Sequence, residues 1–103
     1  MSISKLPNED VLSKMRDMLA ITSDMTRLRI LFSLLDEDKN EKCVSEIVED
    51  VKASQSLISH QLKVLKDFEL VSTRREGQKI YYSLKDGHVK QLLSVALEHA
   101  MED

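Results

Sequence analysis

Residues 44–68 read VSEIVEDVKASQSLISHQLKVLKDF, and this stretch decides the fold. Apolar residues recur at helical spacing from Val44 to Val51, which predicts a short helix, and again over about residues 55–68, which predicts a second one. Only residues 52–54 lie between the two helices. A connection of about three residues between two short helices is typical of a helix-turn-helix.

The helix at about residues 55–68 has two chemically different faces when its side chains are projected at 100° per residue. One face is apolar, and the other combines hydrogen-bonding groups with cations and has no acidic residue. Such a face is typical of a helix in the DNA major groove, where amides and hydroxyls contact base edges and lysines contact phosphates. The alternative is an ordinary solvated surface, which usually mixes both signs of charge. We predict DNA contacts by Gln55, Ser56, Ser59, His60 and Lys63.

After Leu70 the pattern changes to a period of two, with β-branched and aromatic residues on either side of a turn at residues 76–78. This pattern predicts a β-hairpin over about residues 71–84. We expect the hairpin to be a wing that rests on the DNA backbone. The residues expected to make these contacts cluster near its tip: Arg74, Arg75, Gln78 and Lys79.

Helical signals on both sides of this region complete a single domain over residues 1–103. A first helix begins after Pro7, Ser23-Asp24 offers a cap for the next, and the polar run at 36–42 is a loop. A last helix is predicted over about residues 86–102. A domain this small buries a limited share of its surface, so a partner copy would help to complete its core. The predicted fold class is α+β, mostly α: a winged helix-turn-helix whose terminal helices form a dimer interface.

The net charge of −3 conceals an uneven distribution. Residues 51–85 hold seven basic residues against three acidic ones, a balance of +4, whereas the rest of the chain carries −7. A basic region on an acidic body is typical of DNA contact. No segment approaches the roughly 20 apolar residues of a membrane span, and residues 1–9 lack the apolar part of a secretory signal. Together with a single cysteine, this favours a cytoplasmic protein without a membrane partner.

The C-terminal segment has the pattern D-x-H-x(10)-H-x(2)-E, formed by Asp86, His88, His99 and Glu102. Two imidazoles and two carboxylates are a suitable ligand set for zinc. His99 and Glu102 are three residues apart and share one helix face. An extended backbone at the helix cap would turn Asp86 and His88 to one side as well. Each pair therefore supplies half of a metal site.

The two pairs cannot hold the same ion within one straight helix, because 11 residues separate His88 from His99 by roughly 16 Å. If two copies of this helix pack antiparallel about a twofold axis, each half-site meets the other half-site of the partner. Leu92 and Val95 lie on the same stripe and would form an apolar seam between the two sites. The alternative is that the histidines and acids are ordinary surface residues and that the seam alone holds a dimer.

The chain resembles the ArsR/SmtB family of metal-responsive repressors over nearly its full length. The resemblance rests on SQSLISHQLKVL at 54–65, similar to that family's recognition helix, on RREGQKIYY at 74–82, similar to its wing, and on the C-terminal ligand pattern. In the zinc-sensing branch this pattern implies a site between subunits, with Asp86 and His88 from one protomer and His99 and Glu102 from the other. The resemblance also implies an apo homodimer that binds double-stranded operator DNA and is released by metal.

Cys43 and His60 are interpreted separately. Some members of that family carry a thiolate site built on a Cys-x-Cys pair, but here Cys43 is followed by Val44 and Ser45, and no Cys or His precedes it. We interpret Cys43 as a small buried apolar residue. His60 has no ligand-type partner nearby in the pattern, so we assign it to the DNA face or its packing.

The sequence disfavours an enzyme, since it offers no nucleophile with a base, no phosphate loop and no paired catalytic carboxylates. Four protein ligands would also fill the predicted metal site. Oxygen and nitrogen donors without sulfur favour zinc, cobalt or nickel, and four-coordination favours zinc. The predicted function is a repressor released by zinc. The alternatives are a nickel or cobalt sensor, a metal-independent winged-helix regulator, and a winged module that binds another protein.

Overall fold

The described part of the chain folds into seven secondary-structure elements, five helices and two strands. The computed structural model describes residues 5–102. The elements are α1 (Glu9–Thr22), α2 (Met25–Leu34), α3 (Val44–Val51), α4 (Gln55–Asp67), β1 (Val71–Glu76), β2 (Lys79–Leu84) and α5 (Gly87–Met101). The predicted order of a helix-turn-helix, a two-stranded hairpin and a terminal helix is confirmed. No helix within residues 5–102 combines the length and the apolar content needed to cross a bilayer.

Four helices begin where a polar side chain accepts a hydrogen bond from a backbone N–H three residues later. The capping residues are Asn8, Asp24, Ser54 and Asp86, with distances of 2.9, 3.0, 3.2 and 3.0 Å. Each cap satisfies one of the backbone donors that the first turn of a helix leaves unpaired. The helix starts expected near Pro7, at Ser23-Asp24 and at Asp86 are therefore correct, and their cause is local.

The connection between α3 and α4 is short because the backbone reverses at one residue. Lys52 adopts the left-handed conformation, with φ 60° and ψ 49°, and donates its N–H to the Val48 carbonyl at 2.7 Å. A left-handed residue of this kind ends a helix sharply, and glycine is the usual occupant because it has no Cβ. Ser54 then caps α4. The structure thus has the turn of three residues that the sequence predicts.

The hairpin pairs Val71 with Leu84 at its base and Glu76 with Lys79 at its tip. Its turn therefore has two residues, Gly77 and Gln78, rather than the three expected from the sequence. Gly77 has φ +62° while Gln78 does not have a positive φ, as in a type II′ turn. This geometry suits the right-handed twist of the strands, so the ladder extends one residue further than predicted.

The core lies between α2, α3, α4 and the base of the hairpin. Its buried residues are Ile30, Leu31, Leu34, Ile47, Ile58, Leu62, Leu65, Leu70, Val71, Leu84, Val89 and Leu93. Two of them, Val89 and Leu93, attach α5 to this core. α1 contributes no buried residue, although Met18 and Ile21 pack against the core. The two terminal helices therefore lie at the edge of the domain in a single chain.

Lys42 is a buried charged residue, 5% exposed, in the segment predicted to be a loop. Its ammonium group donates to the Ser33 carbonyl at 2.7 Å, in the last turn of α2, and to Asp50 Oδ2 at 2.6 Å, in α3. The ammonium and the Ser33 hydroxyl together lower the pKa of Asp50. The Lys42 backbone also pairs with Tyr82 of β2 through two hydrogen bonds, at 3.0 and 2.8 Å. The loop assignment is correct at Lys42, which lies in the connection between α2 and α3. Its burial was not expected from the sequence, and it arises because the side chain binds the end of α2 inside the fold.

We expect Lys42→Met to lower the free energy of unfolding by about 1–3 kcal/mol, because it leaves the Ser33 carbonyl without its donor while keeping the side-chain volume. Urea denaturation followed by circular dichroism measures this change. Lys39→Met is the matched control, since Lys39 also pairs with a carboxylate, Glu46, but is 56% exposed. Exposed ion pairs contribute little, so the control should change stability far less. Equal losses in the two variants would contradict the structural role of Lys42.

Candidate DNA-binding face and metal half-sites

The polar face of α4 is open to solvent along its whole length. All five residues predicted to contact DNA are exposed: Gln55, Ser56, Ser59, His60 and Lys63. On the opposite face Ile58, Leu62 and Leu65 are fully buried. The predicted division of the helix into two faces is therefore correct. Leu57 and Phe68, assigned to the apolar face, remain partly exposed because they lie at the two ends of the helix.

Arg27 fixes the position of α4, a role that the sequence did not suggest. Its Nη1 donates to Gln61 Oε1 of α4 at 2.8 Å, and its Nε donates to the Ile21 carbonyl of α1 at 2.7 Å. The guanidinium thus joins α1, α2 and α4 with two hydrogen bonds. A charged donor makes stronger hydrogen bonds than a neutral one. Because Gln61 lies in the middle of α4, this contact holds the exposed face in a defined orientation.

The four wing residues predicted to contact DNA differ in whether another side chain of the same molecule binds them. Arg75, Gln78 and Lys79 are exposed at the tip. Arg74 is also exposed, but its guanidinium pairs with Glu41 at 2.7 Å and with Glu76 at 2.9 Å. These two partners raise the pKa of Arg74, and Arg74 lowers the pKa of Glu41. This ion pair could not be predicted from the sequence, since Arg74 and Glu41 are 33 residues apart.

The four predicted metal ligands form two close pairs at the two ends of α5. His88 Nδ1 lies 3.8 Å from Asp86 Oδ2, and His99 Nδ1 lies 3.6 Å from Glu102 Oε2. Asp86 caps the helix through Oδ1, which leaves Oδ2 on the side of His88. Its backbone is extended, with φ −164° and ψ −176°, as expected for this pair. Glu102 lies at the other helix end, where the backbone is again extended.

These distances are close to the spacing of two ligand atoms on one tetrahedral zinc ion. Two ligand atoms that each lie about 2.0–2.1 Å from a tetrahedral zinc ion are about 3.4 Å apart. Both pairs are within a few tenths of an ångström of that separation. In residues 5–102 of one chain, no three His, Cys, Asp or Glu side chains come together as a metal site. A four-ligand site at these residues would therefore need a second chain.

Cys43 is only partly buried and lies at the N-terminal cap of α3, so its assignment as a buried apolar residue is wrong in part. Its Sγ lies 3.3 Å from Ser45 Oγ and 3.3 Å from Glu46 Oε1. Glu46 also accepts the Cys43 N–H at 3.1 Å. The pKa of Glu46 falls to about 2 because of its ion pair with Lys39 and this backbone hydrogen bond. Cys43 therefore belongs to the start of the helix-turn-helix.

The terminal helices expose apolar side chains on their outer faces. In α1 these are Val11, Met15 and Leu19, which recur every four residues along one stripe. In α5 they include Leu92 and Val95, of which Val95 is 59% exposed. Leu92 and Val95 lie between the two half-sites along the helix. Contiguous apolar surface of this kind marks an interaction site more often than a solvated surface.

Comparison with known proteins relates this geometry to a family. Residues 24–73 match the family described as bacterial regulatory protein, arsR family. The chain is 36% identical over 93 residues to a transcriptional repressor SmtB homolog from Synechocystis, covering 90% of this chain and 68% of the relative. It is 40% identical over 80 residues to a cadmium resistance transcriptional regulatory protein CadC homolog from Staphylococcus aureus, covering 78% of this chain and 64% of the relative. It thus spans about two thirds of each relative.

The fold is similar to that of a solved homodimer. A homodimeric winged helix-turn-helix DNA-binding domain from Mycobacterium bovis matches with a TM-score of 0.81 and 25% sequence identity. The match covers 97% of this chain and 90% of that domain. Residues 5–102 form five helices and a two-stranded antiparallel wing, and together with this match they make the chain a winged helix-turn-helix, which confirms the predicted fold class.

The contact between Arg27 and Gln61 yields a stability test. We expect Arg27→Met and Gln61→Leu to couple by about 0.5–1.5 kcal/mol in the free energy of unfolding, the scale of one intramolecular hydrogen bond. Urea denaturation of the two single variants and the double variant gives the coupling energy. Arg29→Met paired with Gln61→Leu is the control, because Arg29 is exposed on the same helix. If Arg29 couples to Gln61 as strongly as Arg27 does, the contact does not hold α4.

Proposed function

The chain belongs to the arsR family of bacterial regulatory proteins, and from this membership we propose that it is a metal-responsive repressor whose homodimer binds operator DNA and is released by zinc. Its class is that of DNA-binding transcriptional regulators and not of enzymes. The observation that carries the proposal is the placement of two imidazole–carboxylate pairs at opposite ends of α5, each spaced as two ligands of one tetrahedral ion.

A twofold axis across the middle of α5 would combine the half-sites. If His88 of one copy lies opposite His99 of the other in an antiparallel pair, Leu92 lies opposite Val95 on both sides of the axis. The exposed side chains of Leu92 and Val95 would then be covered at the centre of the interface. Each end would hold Asp86 and His88 from one protomer with His99 and Glu102 from the other. The apolar stripe on α1 offers further surface for the same interface.

The bound metal would supply a cross-link between the two chains. Asp86 and His88 follow the end of β2 directly, since only Lys85 separates Leu84 from the cap of α5. A change in the angle between the two α5 helices would therefore be passed to the wing and to the spacing of the α4 helices. DNA and metal would then oppose each other's binding by the same factor, typically 5–150-fold in coupled systems.

The donor set supports zinc, with cobalt and nickel as alternatives. It consists of two imidazole nitrogens and two carboxylates without sulfur, which suits borderline divalent ions better than soft ones. The CadC homolog is described as a cadmium resistance protein. Cadmium would prefer thiolate ligands, and the only cysteine of this chain, Cys43, caps α3 and is not part of α5. A metal-independent regulator remains the second candidate, because the apolar stripes alone offer a dimer interface.

His99→Gln should bind duplex DNA as tightly as the wild type and should lose its response to zinc. Fluorescence anisotropy with a labelled fragment from upstream of the protein's own gene measures both, once with zinc and once with a chelator. For the wild type we expect zinc to weaken binding at least about tenfold, or about 1.4 kcal/mol. If zinc releases the variant from DNA as it does the wild type, the proposed metal site is refuted.

The chain offers a matched control for this experiment, because it has three histidines and the third, His60, lies in α4. His60→Gln should bind two zinc ions per dimer in competition with a chromogenic chelator, as we also expect of the wild type. His99→Gln should lose this binding. Loss of zinc binding in both variants would point to a metal site that includes α4 instead.

The proposed interface has its own test. Val95→Asp should shift the protein from dimer to monomer, since it places two charges beside the centre of an apolar seam. Analytical ultracentrifugation with the metal removed measures the mass in solution. Ile80→Asp is the control, because Ile80 is an exposed apolar residue of the wing, 39% exposed. An unchanged dimer in the Val95 variant, or a monomer in the Ile80 variant, would place the interface elsewhere.

A further inference from the structure

The guanidinium of Arg74 is already paired with two carboxylates of the same chain. Its Nε donates to both carboxylate oxygens of Glu41, at 3.1 and 3.0 Å, and its Nη2 donates to Glu41 Oε1 at 2.7 Å. Its Nη1 donates to Glu76 at 2.9 Å. The guanidinium carbon lies 4.8 Å from the centre of the Tyr81 ring, within the range of a cation–π contact. One arginine thus contacts the α2–α3 connection and both strands of the wing.

Arg74 and Arg75 differ although they are neighbours in the sequence. Side chains alternate between the faces of a strand, so the two arginines lie on opposite faces of the hairpin. Tyr81 lies opposite Arg74 in the ladder, and Ile80 lies opposite Arg75. The face of Arg74 is turned to Glu41, whereas Arg75 has no carboxylate within ion-pairing distance among the residues that the structure describes.

The charges around Arg74 oppose a phosphate contact. Two carboxylates surround one guanidinium, which gives the cluster a net charge of −1. A DNA phosphate would have to displace Glu41 from a bidentate pair before Arg74 could bind it. Lys79 faces Glu76 across the ladder without such a pair, and Arg75 is exposed on the other face. The cations available to phosphate at the wing tip are therefore Arg75 and Lys79.

We propose that Arg74 is a positioning residue that acts through Glu41 to set the angle of the wing, and that Arg75 and Lys79 make the phosphate contacts. The inference rests on the proposed function as a DNA-binding protein. It revises the expectation that all four polar residues at the wing tip contact DNA.

A wing of two strands needs such support. An isolated hairpin is marginally stable in water, and residues 73–80 are exposed. The α2–α3 connection holds β2 through the backbone pairing of Lys42 with Tyr82. Glu41, the preceding residue, reaches Arg74 on β1. Two adjacent residues of one connection therefore hold both strands, which fixes the tilt of the hairpin as well as its attachment.

The salt dependence of DNA affinity separates the two roles. Each phosphate contact adds about 0.9 to the slope of log K against log salt concentration, so the loss of one contact from both wings of a dimer lowers the slope by about 1.8. We expect this loss for Arg75→Ala and for Lys79→Ala on a random-sequence duplex. For Arg74→Ala we expect an unchanged slope and an affinity about three- to tenfold lower at every salt concentration, because the wing is no longer ordered before binding.

The conservative variant and a spectroscopic measurement complete the test. Arg74→Lys keeps the charge but lacks the planar fork that binds a carboxylate with two donors, so it should behave like Arg74→Ala. The chain has no tryptophan, and both of its tyrosines lie in β2, so tyrosine fluorescence anisotropy reports on the wing alone. The fast local motion of the tyrosines should increase in Arg74→Ala and not in Arg75→Ala. The melting temperatures of the two variants should be equal. A merely structural role would lower the melting temperature instead.

A fall of the slope in Arg74→Ala like that in Arg75→Ala would overturn the inference, as would an unchanged affinity or full rescue by Arg74→Lys. A wild-type protein whose duplex affinity shows no steep salt dependence gives a different result. It would refute the proposed DNA-binding function itself, and the role of Arg74 with it.

Discussion

The buried ammonium group of Lys42 is the constraint on which the arrangement of the domain depends. A buried cation is costly unless every donor has a partner, so the groups around it must keep their places. Those groups belong to the end of α2 and to α3, and the backbone of the same residue pairs with β2. One residue thus joins the first helix of the helix-turn-helix to the helix before it and to the wing. The wing is therefore attached to α2 and α3, and α3 leads directly into α4, the other element proposed to contact DNA.

The rest of the proposed DNA-binding face is attached to these elements through charged groups at its edges. Arg27 connects α4 to α1 and α2, and Glu41 connects the wing to the segment that holds Lys42. Both contacts use guanidinium groups, which offer several donors in a fixed plane. Such groups can orient two elements and not merely attract them. The exposed side chains of α4 and of the wing tip are thus held by the partly buried contacts of Arg27 and by the exposed ion pair of Glu41 and Arg74.

The C-terminal part of the domain is organised by α5. Only its first half packs on the core: Val89 and Leu93 are buried, whereas the residues after Ser94 are exposed. Its cap, Asp86, uses one carboxylate oxygen to begin the helix and keeps the other beside His88. The residue that starts the helix is therefore also a proposed ligand. Because Asp86 follows β2 so closely, a change at the proposed metal site would reach the wing through one short piece of backbone.

The sequence by itself determined the elements and the patterns along them. Periodicity, caps and turn residues are local properties, so the helix starts, the turn at Lys52, the hairpin, the two faces of α4 and the spacing of the donor pairs on α5 could all be predicted. Only the tertiary structure decided which polar residues meet. Arg27 and Gln61 are 34 residues apart, and Glu41 and Arg74 are 33 apart. No pattern in the chain distinguishes Lys42 from the polar residues before it, or Arg74 from Arg75. Their roles depend on which element packs beside them, and packing is a property of the whole fold.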